Sequence, residues 1–381
     1  MQLPRNNNRT NEVYVNVLHW KLPKHSPETL TSPVGVGKTV TFECSNGFLQ
    51  NELPLTSHAL SCDISGKYNR TYLYEDLMCR SDFHKSVVVS RAYSIQSRLL
   101  KCEGKNLEIY NVETRKPDGS LKHLFTVCLD KSVMRTKFAF QPKSNVRPLT
   151  KYRSRQDVWG FDAYGENSWE RVILSRAYVK KLQETRITSL FPDQYKGGKK
   201  YPYYFNRGHL VPYGDFIDDE DQHATCLYIN AAPQWNEFNE NAWSLIEQEA
   251  RRIRNKGTPE EWEIYTGTYG KIPAPREGFM FLTAILDDNK NVKKRLVPVP
   301  LLFWKIVHNV NDRSKSRAFI GVNNPRIKSA TSVTNEYRVC TPIVNPVTKK
   351  AINGNEFEGF TYECKLDDFL KKLGTDEGIV V

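Results

Sequence analysis

No Cys-x-x-Cys pair occurs in the 381 residues, so a structural zinc site has no ligand pair at the usual spacing. No apolar run approaches the ~20 residues that a membrane-spanning helix requires, so we expect a soluble protein with no membrane partner. Low-complexity segments and internal repeats are missing too, which sets aside fibrous and solenoid architectures. The opening residues, Met1-Gln2-Leu3-Pro4-Arg5-Asn6-Asn7-Asn8, hold no apolar core of the signal-peptide kind.

Positive charge, aromatic rings and cysteines are plentiful. Fifty-five Lys+Arg against 43 Asp+Glu leave a net charge of +12. That balance attracts polyanions, although it says nothing about fold. Nineteen Tyr, 18 Phe and 7 Trp offer faces on which bases can stack. Cys44, Cys62, Cys79, Cys102, Cys128, Cys226, Cys340 and Cys364 are even in number and widely spaced. Such spacing suits disulfides made in an oxidising compartment, and their pairing stays open. Two glycosylation sequons, Asn8-Arg9-Thr10 and Asn69-Arg70-Thr71, agree with secretion. The expectation is a secreted protein whose leader has been removed.

The length suits two domains. Short β-like runs (Val13–Leu18, Thr39–Cys44, Ser86–Ser90, Leu107–Val112 and Leu124–Cys128) predict a β-rich unit over residues 1–130, stapled by some of the five cysteines it contains. A basic, Pro-containing stretch over 142–155 reads as surface chain. Asn167, with Glu170 three residues on, predicts a capped helix over about 168–182. The basic loop Lys196-Gly197-Gly198-Lys199-Lys200 runs into an aromatic strand, Tyr201 to Phe205, that ends in Asn206-Arg207-Gly208-His209. Further strands are predicted at Trp262–Gly267, Phe279–Leu282, Val297–Val307 and Arg317–Val322.

Cutting a phosphodiester requires a base for water, neutralisation of the added negative charge, and help for the leaving oxygen. His209 suits the first, because neutral imidazole exists near pH 7. Gly208 is read as letting the backbone turn tightly at the strand end. Arg207 supplies a fork of donors that matches a phosphate. A helix beginning near Asn236 carries Asn239, Trp243, Glu247 and Arg251 along one edge at 3.6 residues per turn. An amide oxygen suits a hard cation that keeps several of its waters.

Asn206-Arg207-Gly208-His209 resembles the Asp-Arg-Gly-His signature of the DNA/RNA non-specific endonucleases. Tyr228-Ile229-Asn230-Ala231-Ala232-Pro233-Gln234, and Phe238-Asn239-Glu240-Asn241-Ala242-Trp243 on to Glu247 and Arg251, resemble the segments that follow it in that family. The likeness extends over about 131–381. It implies an α+β protein whose endonuclease domain, residues 131–381, has a central antiparallel sheet and a ββα-metal core. The smaller β-rich unit over 1–130, similar to that of arthropod secreted digestive and salivary nucleases, would precede it.

The resemblance also implies roles. His209 would be the general base, and Asn239 the one direct protein ligand of Mg²⁺, with Mn²⁺ as the alternative ion. Glu247 would hold the metal's water, and Arg207 and Arg251 would contact the scissile phosphate. Arg186 would match a transition-state arginine, and Lys199 and Lys200 would help bind nucleic acid. The partners would be DNA and RNA without sequence preference, and the products would carry 5′-phosphates. Asn206 departs from the pattern: it keeps hydrogen bonds near the hydrated metal but loses a charge. The alternative reading is therefore a salivary-type protein that binds nucleic acid tightly and retains only residual cleavage.

Overall fold

The structure is a computed structural model. It describes short strands within 2–61, and then residues 87–116, 118–142, 159–160, 169–191, 204–216, 218–255, 262–275, 277–286, 292–344 and 350–377. The chain divides into two compact units, Met1–Ser86 with Arg153–Val158, and Val87–Tyr152 with Trp159–Val381. In the first, Gln2–Leu3 pairs with Leu30–Thr31, and Trp20–Lys21, Tyr14–Val15, Thr39–Glu43 and Ser57–Ser61 form a four-stranded sheet in that order.

A ten-stranded sheet organises the second unit. Its strands are β1 (Val87–Ala92), β2 (Leu107–Arg115), β3 (Leu121–Asp130), β4 (Arg135–Gln141), β7 (Trp262–Tyr269), β10 (Leu302–Asn309), β11 (Arg317–Val322), β12 (Pro342–Ile343), β13 (Ile352–Asn355) and β14 (Gly359–Cys364). The order is β12-β14-β11-β10-β7-β4-β3-β2-β1, with β13 on β14, and the named pairs are antiparallel.

This sheet crosses the boundary expected at 130/131. β4 pairs with β3 on one edge and with β7 on the other, in the register Phe138↔Gly267 and Phe140↔Tyr265, so β1–β3 belong to the larger unit. Cys102–Cys128 lies within that unit, as does Cys340–Cys364. Both are therefore staples of the large sheet, and Cys44, Cys62 and Cys79 lie outside the described residues.

β10 is buried along its whole length because both sheet faces are covered. Successive residues go to opposite sides. Phe303 and Val307 enter one core with Phe125, Phe238 and Trp243. Trp304 and Ile306 enter the other with Phe138, Tyr265 and Phe369. The second face is closed by α7 (Leu366–Glu377), with the short α6 (Ala330–Glu336) adding Val333 to the same core, while α3 (Asp219–Ala224) is tied to β2 by the Thr114–Asp221 hydrogen bond.

The first face carries β5 (Phe205–His209), β6 (Ala231–Trp235), α4 (Asn236–Glu240) and α5 (Ala242–Arg254). This strand–strand–helix unit is the ββα arrangement that the resemblance implies. Phe238 and Trp243, both fully buried, meet Phe303 with ring centres 6.2 and 5.6 Å away. A Cβ on Gly321 of β11 would lie 2.4 Å from the Phe238 ring, so glycine at that point lets the helix dock on the sheet.

Three local expectations change. The helix expected from 168 to 182 is two: α1 (Trp169–Ala177) and α2 (Lys180–Leu190), separated where Val179 is extended (φ −72°, ψ 117°). Asn167 lies outside the described residues. The helix after Asn236 is interrupted at Asn241 (φ −111°, ψ −91°). The apolar run Val297–Val307 divides between β9 (Val292–Pro298), which pairs with β8 (Phe281–Leu286), and β10, because the two prolines cannot donate to a ladder.

Candidate active site

The signature lies within strand β5, and residues 201–203 of the strand expected before it lie outside the described residues. Asn206, Arg207, Gly208 and His209 pair across β5/β6 with Gln234, Pro233, Ala232 and Ala231. Gly208 therefore makes no tight turn, and its φ is not positive. Its missing side chain serves close approach: a Cβ there would lie 2.2 Å from Gln234 Oε1. The Asn206 amide donates to Asn236 Oδ1 at 2.7 Å, tying the strand to the first turn of α4.

Asn230 fixes the end of β5. It is fully buried, accepts from Val211 N at 2.9 Å, and donates to the Val211 and Thr225 carbonyls at 2.9 Å each. The half-buried His209 is thereby presented on a clamped backbone. Its ring lies 4.9 Å from the Trp159 ring, and its Nε2 lies 3.7 Å from Cys226 Sγ.

The predicted arginines occupy different environments. Arg186 is bound by Glu277, with Nη1 to Oε1 at 2.8 Å and Nη2 to Oε2 at 2.5 Å, and the guanidinium holds the Glu277 carboxyl below its usual range. Arg251 is buried and pairs with Asp215 at 3.0 Å, while Arg254 approaches the other Asp215 oxygen at 3.7 Å. Arg207 is held differently. Its Nε donates to the Tyr228 hydroxyl at 3.0 Å, and its guanidinium carbon lies 5.2, 5.4 and 5.6 Å from the ring centres of Tyr178, Tyr228 and Trp159. Lys199 and Lys200 lie outside the described residues.

Lys305 of β10 joins the two halves of the site. Its ammonium donates to the carbonyl of Leu210, the residue after His209, at 3.4 Å, and to the Thr266 hydroxyl. It lies 5.8 Å from the Trp243 ring and lines one small pocket with Pro212, Asp215, Glu247 and Arg251. Burial pushes its pKa down to about 8, against the opposing pull of Glu247 and Asp215. The end of β5 and the Glu247 edge of α5 thus converge on one buried cation.

Among the described residues no group of three or more His, Cys, Asp or Glu side chains is arranged to hold a metal ion. Oxygens are available nonetheless. The half-buried Asn239 carboxamide has no hydrogen-bond partner among the described residues, and Asn206 Oδ1 accepts none there. Glu247, half-buried, adds a carboxylate one helix further on. Neutral amide oxygens are the kind of donor that suits a hard cation keeping much of its own water.

The sequence profile of the DNA/RNA non-specific endonucleases matches residues 104–369. The chain belongs to that family. The match opens at β2, well before the expected residue 131, in agreement with the continuous sheet.

Among individual relatives, a salivary endonuclease of Lutzomyia longipalpis is 25% identical over 274 residues, 71% of this chain and 62% of that protein. A salivary endonuclease of Culex quinquefasciatus is 28% identical over 114 residues, covering 28% of this chain and 27% of the relative. The chain thus spans less than two thirds of the length of either. Among solved structures, that of the EndoG/EndoGI complex matches with a TM-score of 0.30 at 14% identity, over 52% of this chain and 71% of that one.

Proposed function

We propose that the protein is a secreted, metal-dependent endonuclease that hydrolyses DNA and RNA, double-stranded forms included, without reading sequence. The observation that supports it most is the convergence at Lys305 of the His209 strand end with the helix that carries Glu247. Secretion is supported by the salivary relatives and by the Cys102–Cys128 and Cys340–Cys364 disulfides.

In this reading His209 takes a proton from water as the water oxygen bonds to phosphorus. The P–O3′ bond breaks with its electron pair going to O3′, which takes a proton from solvent water, leaving a 3′-hydroxyl and a 5′-phosphate. Arg207 faces the phosphate with a guanidinium that no carboxylate neutralises among the described residues. Asn239 would hold Mg²⁺, or Mn²⁺, through its amide oxygen. When bound, the ion would supply positive charge to the phosphate and the leaving oxygen. Asn206 and Glu247 would accept hydrogen bonds from surrounding water. Sequence-independent binding follows from phosphate contacts, with Lys199 and Lys200 as further contributors.

Arg251 and Arg186 enter as supports rather than phosphate contacts. Arg251 braces α5 through Asp215, and Arg186 braces α2 through Glu277. The domain reading becomes a nuclease unit that starts at Val87 with a separate N-terminal β-unit.

The test incubates plasmid DNA and double-stranded RNA with the protein, with and without EDTA, beside His209→Ala. Cleavage that is lost with chelator and in the variant supports the proposal. Undiminished cleavage by His209→Ala overturns it. Binding without cleavage by the parent supports the residual-activity alternative, for which the loss of a charge at Asn206 is the reason.

A further inference from the structure

Arginine can be held in place by carboxylates or by aromatic rings, and the two cost its charge differently. A carboxylate cancels the positive charge locally. A ring attracts and orients the guanidinium through its quadrupole and leaves the net charge in place. Arg186 and Arg251 are held the first way, by Glu277 and Asp215. Arg207 is held the second way.

Three rings surround the Arg207 guanidinium at 5.2–5.6 Å, and the Tyr228 hydroxyl takes its Nε–H. Among the described residues nothing takes a hydrogen bond from its two terminal nitrogens. The rings also brace one another: Tyr228 lies 5.8 Å from Tyr178 and 5.7 Å from Trp159. Tyr178 and Tyr228 are buried, and Trp159 is half-buried. The break between α1 and α2 follows directly after Tyr178, and a 3-10 turn at Tyr228–Asn230 leads from Tyr228 to the clamp residue Asn230. Trp159 touches both signature side chains, Arg207 through cation–π contact and His209 at 4.9 Å.

We propose that Trp159, Tyr178 and Tyr228 are positioning residues: an aromatic cradle that orients Arg207 for a phosphate while keeping its charge, with Trp159 also setting the His209 ring. The inference rests on the nuclease reading for its kinetic effect, but its binding effect stands without cleavage. The cradle predicts that a flat ring is needed at 159, and that the hydroxyl at 228 tunes the angle of the fork.

The experiment measures two things on the full chain: affinity for a short DNA duplex in EDTA, and kcat with Mg²⁺. The variants are Trp159→Leu, Trp159→Phe, Tyr228→Phe and Arg207→Ala. A contact of this kind is worth about 10-fold when partly desolvated. Trp159→Leu should lower duplex affinity several-fold, approaching Arg207→Ala, and lower kcat about 10-fold or more. Trp159→Phe should restore most of both. Tyr228→Phe, which keeps the ring and the fold, should lower kcat about 3-fold with an unchanged melting temperature, and it carries the test if Trp159→Leu fails to fold.

A Trp159→Leu protein that folds, binds and cuts like the parent overturns the cradle. So does a Tyr228→Phe protein indistinguishable from the parent in both assays. A parent that binds but does not cut defeats the nuclease reading alone, and the cradle is then decided by the affinity series.

Discussion

Replacing Asp215 by asparagine removes a negative charge from beneath two buried guanidiniums. The Asp215 side chain is 6% exposed, and Arg251 and Arg254 are 10% and 5% exposed. Lys305 adds a third cation to the same pocket, and Glu247 a second anion. The native cluster therefore carries three positive and two negative charges, and Asp215→Asn leaves three against one.

Two unit charges about 4 Å apart are worth roughly 4 kcal/mol at the effective dielectric of a protein. Leaving one member of a buried pair without its partner costs about 3–5 kcal/mol, a large share of the roughly 5–15 kcal/mol that holds a domain folded. Urea unfolding followed by fluorescence of the buried Trp243 and Trp304 measures it. Asp215→Asn should lose about 3 kcal/mol or more, and adding Arg251→Met should recover part of that loss in a double-mutant cycle. A loss below about 1 kcal/mol, or strictly additive effects, would refute the bracing role of Asp215 and return Arg251 to the phosphate.

Gly208→Ala drives a methyl group into Gln234, so its melting temperature and cleavage should both fall, with partial recovery on adding Gln234→Gly; a neutral Gly208→Ala would contradict the close packing of β5 on β6. Lys305 is depressed to about 8 in the fold against 10.5 in the unfolded chain, so its charge costs the folded state about 3 kcal/mol at neutral pH, a cost relieved as pH rises from about 8 towards 10.5. Relative to Lys305→Met, the parent should gain stability through that window, and parallel pH curves would count against a desolvated ammonium. Glu277 is held below its usual range by Arg186, so its contribution is present at neutral pH and is lost as acid titrates it below about 4.5. Glu277→Gln should flatten this part of acid unfolding, and an unchanged acid limb would show that the pair contributes nothing.

The helix edge and the signature were legible because both are local. Arg207-Gly208-His209 is contiguous, and Glu247 and Arg251 lie one helical turn apart on α5, whereas the break at Asn241 puts Asn239 on α4 and off that single helical edge. The ββα unit and the central antiparallel sheet were legible only through the family resemblance that those short motifs carry. What lay beyond the sequence was pairing at long range. Nothing within Leu107–Asp130 says that it joins the sheet of Trp262–Tyr269, since that depends on β4 pairing along both edges. The partners of Arg186 and Arg251, Glu277 and Asp215, are distant in the chain, so two arginines that looked ready for phosphate already had carboxylates. Trp159, Tyr178 and Tyr228 were three aromatics among many until the fold gathered them around Arg207. Lys305 was legible only as part of an apolar strand. A lysine in such a run is a signal, because an ammonium is rarely buried without a role.

Metal-dependent cleavage by this chain requires Asn239 to hold a cation within reach of His209. Diffraction from crystals soaked in Mn²⁺, recorded for the ion's anomalous signal, tests it most directly. The prediction is a single peak about 2.2 Å from Asn239 Oδ1, otherwise surrounded by water, with His209 on the same side of the cleft and the peak missing in Asn239→Ala. A peak bound elsewhere, or one that persists unchanged in Asn239→Ala, would contradict it.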